Sequence, residues 1–191
     1  RGGPLRALLV HVLRARAGGE GDEAALFSEN GVIENPYTAH AVLFAPVAYR
    51  TRDGAWQDWP YRLWRRGEAA ILSWQTVSGM AELRAEAPCA SLVTSENAAP
   101  FHRLVEAGRA ALYTEGYPNA AVKTLLRLLA QAGATCRHWG DTDLDGYRIA
   151  EQVARCIPAE LVAPPPAAPA LRLSHEQHQR LARFIDAHPA F

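Results

Sequence analysis

Residues 138–149 read HWGDTDLDGYRI, which sets Asp141, Asp143 and Asp145 at alternate positions just before Gly146. Three carboxylates so close repel one another unless a cation is held among them. Hard oxygen ligands crowded at one point suit Mg²⁺ or Mn²⁺. Glu96, at the end of the apolar run CASLVTS, joins the set if the fold brings it near. A site of this kind activates a nucleophile and stabilises a phosphodiester in transit.

The elements that must position these residues lie between 89 and 157. CASLVTS is a short buried strand, and AAPFHRLVEAG a helix with Pro100 in its first turn and Gly108 at its end. AALYT is a second strand, EGYPN a turn, and AAVKTLLRLLAQAG an amphipathic helix closed by Gly133. ATCRHWG runs as a third strand into the aspartates, and GYRIAEQVARCI is a third helix ended by Pro158. This alternation predicts an α/β, Rossmann-like parallel sheet flanked by helices, with strands near 91–95, 110–114 and 135–140. In an open parallel sheet, ligands bind at the carboxyl ends of the strands where the strand order reverses. With the order 2-1-3, Glu96 and Asp141 end neighbouring strands and face each other.

The flanking segments are less regular. PLRALLVHVLRARAGG puts Leu5, Leu8, Leu9, Val12 and Leu13 on one helical face. AVLFAPVAY reads as a strand interrupted by Pro46, AWQDWPYRLW as aromatic and irregular, and TVSGMAELRA as a short helix. APPPAAP is a stiff linker, after which Ser174 and Gln177 form a capping box for a last helix docked by Leu181, Phe184 and Ile185. The expected division is an N-terminal helical or irregular segment over 1–70, a core over 71–163, and a linker with C-terminal helix over 164–191.

A hydrophobic share of 49% supports a packed core and excludes a disordered tail. No apolar run approaches a bilayer span, and Cys89, Cys136 and Cys156 show no CxxC spacing. They read as buried thiols of a reducing compartment, so the expectation is a cytoplasmic protein without a membrane partner. Net charge is zero and Lys123 is the only lysine, so charge alone does not point to nucleic acid. The sequence starts at Arg1, and Met80 is its only methionine, which reads as the C-terminal piece of a longer chain.

A Glu after one strand and DxD after a later strand of the same sheet resemble the Toprim domain of topoisomerases, primases and several nucleases. The longer stretch SLVTSEN … ALYTEGYPNAAVKTLLRLL … HWGDTDLDGYRIA is similar to the C-terminal Toprim domain of the Wadjet plasmid-defence nuclease subunit and its uncharacterised bacterial relatives. The resemblance covers about residues 70–157. It implies metal-dependent cleavage of double-stranded DNA, with Glu96, Asp141 and Asp143 as catalytic metal ligands and Asp145 as a further ligand at a variable position. Its implied partners are other subunits of an SMC-like defence complex, with a homodimer as a further arrangement.

Other uses of the same residues remain open. The aspartate loop can be read as a solvated acidic turn capping a helix, which accounts for one aspartate at about 0.3–1 kcal/mol but not for three. An EF-hand, by contrast, is excluded: it needs an apolar eighth and a Glu twelfth position, where Arg148 and Gln152 stand, and a strand precedes this loop. A haloacid-dehalogenase phosphatase would use Asp143 and Asp145, but Tyr147 occupies its Thr position. A Toprim fold can also serve as a non-catalytic docking module. Glu34, in VIENP, competes with Glu96; Glu115, His138 and Arg148 are neighbours with packing or surface roles. Trp56, Trp59 and Trp64 are assigned to the core or an interface ahead of base stacking.

Overall fold

Four residues of LVTS, all buried, make a strand because both faces of it are covered. The computed structural model describes residues 4–17, 39–87 and 91–162, with residues 23, 26, 27, 30, 179 and 183. The N-terminal helix is α1 (Pro4–Ala17). It is followed by β1 (His40–Phe44), β2 (Val47–Thr51), β3 (Trp56–Gln57), α2 (Trp59–Arg65), β4 (Ala70–Ser73), α3 (Trp74–Ser78) and β5 (Met80–Ala85). Then come β6 (Leu92–Ser95), α4 (Ala98–Glu106), β7 (Ala111–Tyr113), α5 (Ala120–Gln131), β8 (Cys136–Trp139), α6 (Leu144–Ala154) and β9 (Ala159–Val162).

The main sheet has the order β4-β1-β7-β6-β8-β9. β7, β6, β8 and β9 are parallel neighbours, whereas β1 runs antiparallel to both β7 and β4. The sheet is therefore mixed, which corrects the all-parallel expectation. The three anticipated strands do lie in the order 2-1-3. A second, three-stranded antiparallel sheet has the order β3-β2-β5.

Strand side chains alternate between two apolar layers. Leu43, Leu92, Leu112 and Cys136 face the layer containing α5, α6 and α3, filled by Val77, Leu125, Leu126 and Val153. Phe44, Val93 and Ala111 face the opposite layer with Phe101 and Leu104 of α4. α5 starts at Asn119, whose Oδ1 accepts the N–H groups of Ala121 and Val122 at 2.9 and 3.1 Å. The same side chain donates to the His40 carbonyl at 2.9 Å, which ties the helix to β1.

Several upstream expectations need correction. Pro46 separates two strands that belong to different sheets, rather than interrupting one. TVSGMAELRA is a helix only to Ser78; Gly79 ends it, and Met80–Ala85 is a strand of the small sheet. AWQDWPYRLW is ordered as β3 and α2, with Pro60 in the first turn of the helix. On α1 the buried residues are Val10 and Leu13, against Leu26 and Phe27, while Leu5, Leu8 and Val12 are exposed. β1, from the segment before residue 70, pairs with β7, so the main sheet crosses that division. β9 was not anticipated. Glu34, Cys89 and the proline-rich linker lie outside the described residues, as do Ser174, Gln177, Leu181, Phe184 and Ile185 of the expected C-terminal helix, of which Gln179 and Arg183 are helical and exposed.

The tryptophans serve packing. Trp59 Nε1 donates to Tyr49 Oη at 3.0 Å, and Trp64 stacks on Tyr61 with ring centroids 5.9 Å apart. Trp56 carries the Arg84 guanidinium 3.9 Å over its ring. Cys136 and Cys156 are free and buried, and burial pushes both thiols up.

Candidate functional site

The chain leaves β6 to form α4 and β7 on one side, then returns through α5 to β8 on the other side of β6. The strand order therefore reverses between β6 and β8, and the carboxyl ends of these strands are where an open α/β sheet places its ligands. Glu96 follows β6 and Asp141 follows β8.

The register holds the two loops together. Ser95 pairs with Trp139, and the Glu96 N–H donates to the Trp139 carbonyl at 3.2 Å. The Glu96 side chain turns back across this junction, where its Oε2 accepts the Asp141 N–H at 3.3 Å. Asn97 Nδ2 donates to Asp141 Oδ1, also at 3.3 Å. Ser95 and Thr114, both fully buried, use their hydroxyls to tie down the Asn97 and Ser95 carbonyls.

The other two aspartates point elsewhere. Asp143 is the N-cap of α6, with one carboxylate oxygen accepting the Gly146 N–H at 2.8 Å. Such a cap is worth about 1 kcal/mol. Asp145 accepts the Tyr117 hydroxyl at 2.8 Å and lies 3.6 Å from Arg148. Burial, followed by the bond to Asp145, pushes the Tyr117 phenol up and keeps it a donor rather than a nucleophile. Thus Glu96 and Asp141 are brought together, Asp143 adjoins them through the helix start, and Asp145 is engaged by Tyr117 and Arg148. Among the described residues, no group of three or more His, Cys, Asp or Glu side chains is placed to hold a metal ion. Glu115 sits in the left-handed region at φ 56° and lies 3.8 Å from His40, on the surface.

Gly146 is demanded by this geometry. A Cβ there would lie 2.1 Å from the Asp141 carbonyl oxygen and 2.8 Å from its carbon. The aspartate loop folds back onto the helix start closely enough that only glycine fits.

His138, 1% exposed, is the buried polar residue beneath the site. Its Nδ1 is 2.9 Å from Thr94 Oγ1, which lies 3.4 Å from Cys136 Sγ. Burial lowers the imidazole pKa to about 4, so the ring is neutral at pH 7. Nε2 has no protein partner, and an unsatisfied buried polar atom costs about 1–3 kcal/mol. Thr94, Asn97 and Tyr117 are the neighbours that motif and spacing did not single out. Only the Asn directly after Glu96 was a usable signal for any of them.

Burial pushes the Glu96 carboxyl up, the Asp141 N–H opposes the shift, and the charges of Asp141, Asp143 and Asp145 add to it. A carboxyl whose folded-state pKa is raised holds its proton more tightly when folded, so its ionised form costs stability. That cost is absent below the ordinary value of 4.5 and complete above the raised one. In chelator, Glu96→Gln is expected to raise Tm at pH 7, with the gain shrinking to nothing as the pH falls below 4.5. A gain independent of pH, followed by thermal melts across that range, would assign the effect to packing instead.

The fold and site define an α/β protein with carboxylates gathered at the switch point of its sheet. Residues 71–181, more than half of the chain, match the family described as "Protein of unknown function C-terminus (DUF2399)", and the chain belongs to that family. No curated protein matches it. Among the described residues, no helix is long and apolar enough to cross a membrane.

Proposed function

We propose that this is a Toprim-type domain that cleaves DNA phosphodiesters with the help of Mg²⁺ or Mn²⁺. The observation that carries the reading is the meeting of Glu96 and Asp141 at the ends of neighbouring parallel strands, bridged by the Asp141 N–H and Asn97. A pair of carboxylates is enough for the ion, because Mg²⁺ keeps most of its waters and is commonly held by only one or two from the protein. Glu96 and Asp141 would hold it, and the cap leaves Asp143 one oxygen to join them. When bound, the ion supplies charge for the developing oxyanion and lowers the pKa of an attacking water. Glu96, whose carboxyl is pushed up by burial, serves as acid or base at its carboxyl oxygen. Double-stranded DNA is the proposed substrate, handled in the cytoplasm with further subunits of an SMC-like complex.

The engagement of Asp143 as a cap and of Asp145 by Tyr117 and Arg148 favours a second reading, a docking module without catalysis. Metal binding separates the two. Mn²⁺ at a hundredfold excess over its Kd should stabilise the fold by about 2.7 kcal/mol, seen as a rise in Tm. Asp141→Asn should abolish that rise. Asp143→Asn should keep the cap yet reduce the response, because Asn caps as well as Asp but carries no charge. Full responses in both variants would sink the catalytic reading and leave the docking module.

A further inference from the structure

His138 Nε2 and Glu96 Oε2 both lie against Gly140. A Cβ built on Gly140 would lie 2.7 Å from Nε2 and 3.2 Å from Oε2, so any side chain there would press on both. Gly140 is buried and does not have a positive φ, so its backbone conformation does not itself call for glycine. What glycine provides at this position is the absence of a side chain between an imidazole and a carboxylate.

The hydrogen-bond chain beneath sets which imidazole nitrogen carries the proton. Thr94 Oγ1 has one hydrogen and two neighbours, Nδ1 at 2.9 Å and Cys136 Sγ at 3.4 Å. An imidazole nitrogen is a far better acceptor than a thiol sulfur, so the hydroxyl donates to Nδ1. The Cys136 thiol, kept protonated by burial, donates in turn to Thr94 Oγ1. Nδ1 is then an acceptor, and the neutral ring carries its hydrogen on Nε2, directed at the Glu96 side of Gly140. A carboxylate can only accept, so an N–H on this side has Glu96 Oε2 as its natural acceptor.

We propose that His138 is a positioning residue for Glu96, its Nε2–H presented to Glu96 Oε2 across Gly140. Thr94 and Cys136 set the tautomer, and Gly140 keeps any side chain from standing between the two groups. The consequence for metal binding rests on the site proposed above; the tautomer does not.

The test begins with nitrogen-15 spectra of the imidazole in the whole chain at neutral pH without metal. Nε2 is expected to give a protonated, pyrrole-type signal and Nδ1 a pyridine-type one; the reverse assignment overturns the proposal. Mn²⁺ titrations followed by Tm then compare His138→Leu, His138→Gln and Gly140→Ala. Losing an outer partner of a metal ligand costs roughly 10–100-fold in affinity, so the Leu and Ala variants should need at least about tenfold more Mn²⁺. Gln, which restores an N–H near the same point, should recover most of the loss. An unchanged Mn²⁺ requirement in both the Leu and Ala variants overturns the positioning role. Absence of any Mn²⁺ response in the wild type counts against the metal site alone, and the tautomer still decides the Nε2–H arrangement.

Discussion

Gly146→Ala is expected to destabilise the protein by more than about 3 kcal/mol, at the upper end of overpacking effects. Three atoms of Asp141 lie within 3.1 Å of the new methyl position, and all are backbone. A side chain can swing aside, but this carbonyl is held in a loop whose N–H bonds Glu96 and whose neighbour Asp143 caps the same helix. Relief requires moving the aspartate loop off α6, which breaks the cap and separates Asp141 from Glu96. Gly108→Ala is the control. Its φ of +65° is unfavourable for alanine, but nothing lies within 4 Å of the added carbon, so only a conformational penalty of about 1 kcal/mol is expected. Denaturant midpoints of the two variants measure the difference. Equal losses would mean that the loop tolerates the methyl and that its close approach to the helix has no structural importance.

The part of the fold that carries the site was legible because its signals are local. Val122, Leu125, Leu126 and Leu129 mark one face of α5, Asn119 and Gly133 bound it, and LVTS is short, apolar and followed by a polar turn. From these, the three parallel strands follow; their 2-1-3 order is a condition that brings Glu96 beside Asp141, and the sheet has that order. What escaped depends on pairing across long separations. β1 is no different in composition from a parallel strand, and only its partners, β7 and β4, reveal it as antiparallel. β9 is four residues long and mostly half-buried, so AELV has no strong pattern to read. The exposed side of α1 shows the opposite failure: Leu5, Leu8 and Val12 have helical spacing, yet Val10 and Leu13 are the residues that find a partner surface. Within the site, residue type predicted proximity for Glu96 and Asp141. The helix-cap reading allowed for one aspartate without saying which, because a carboxylate before a helix suits both uses; Asp143 is the one that caps α6.

Closed-circular plasmid is expected to be nicked slowly by the wild-type chain with Mn²⁺, and Glu96→Ala should lower the rate by at least about a hundredfold. The substitution removes a carboxylate that adjoins Asp141 and whose proton affinity burial has raised. The rate should also fall steeply with salt, because affinity for DNA comes mainly from phosphate neutralisation. Much of this chain's positive charge is already matched: Arg50 with Glu82, Arg62 with Asp58, Arg66 with Glu68, Arg84 with Glu86 and Arg155 with Glu151. Such exposed pairs add little stability, but they cancel the local field that would attract a duplex. With zero net charge as well, the proposed cleavage is expected to depend on another subunit to hold DNA, and adding a motor-type partner complex should raise it strongly. Nicking and linearisation assays at low and moderate salt, with and without Mn²⁺, measure both claims. Efficient cleavage by the chain alone at moderate salt would refute the dependence on partners, and equal cleavage by Glu96→Ala would remove Glu96 from the site.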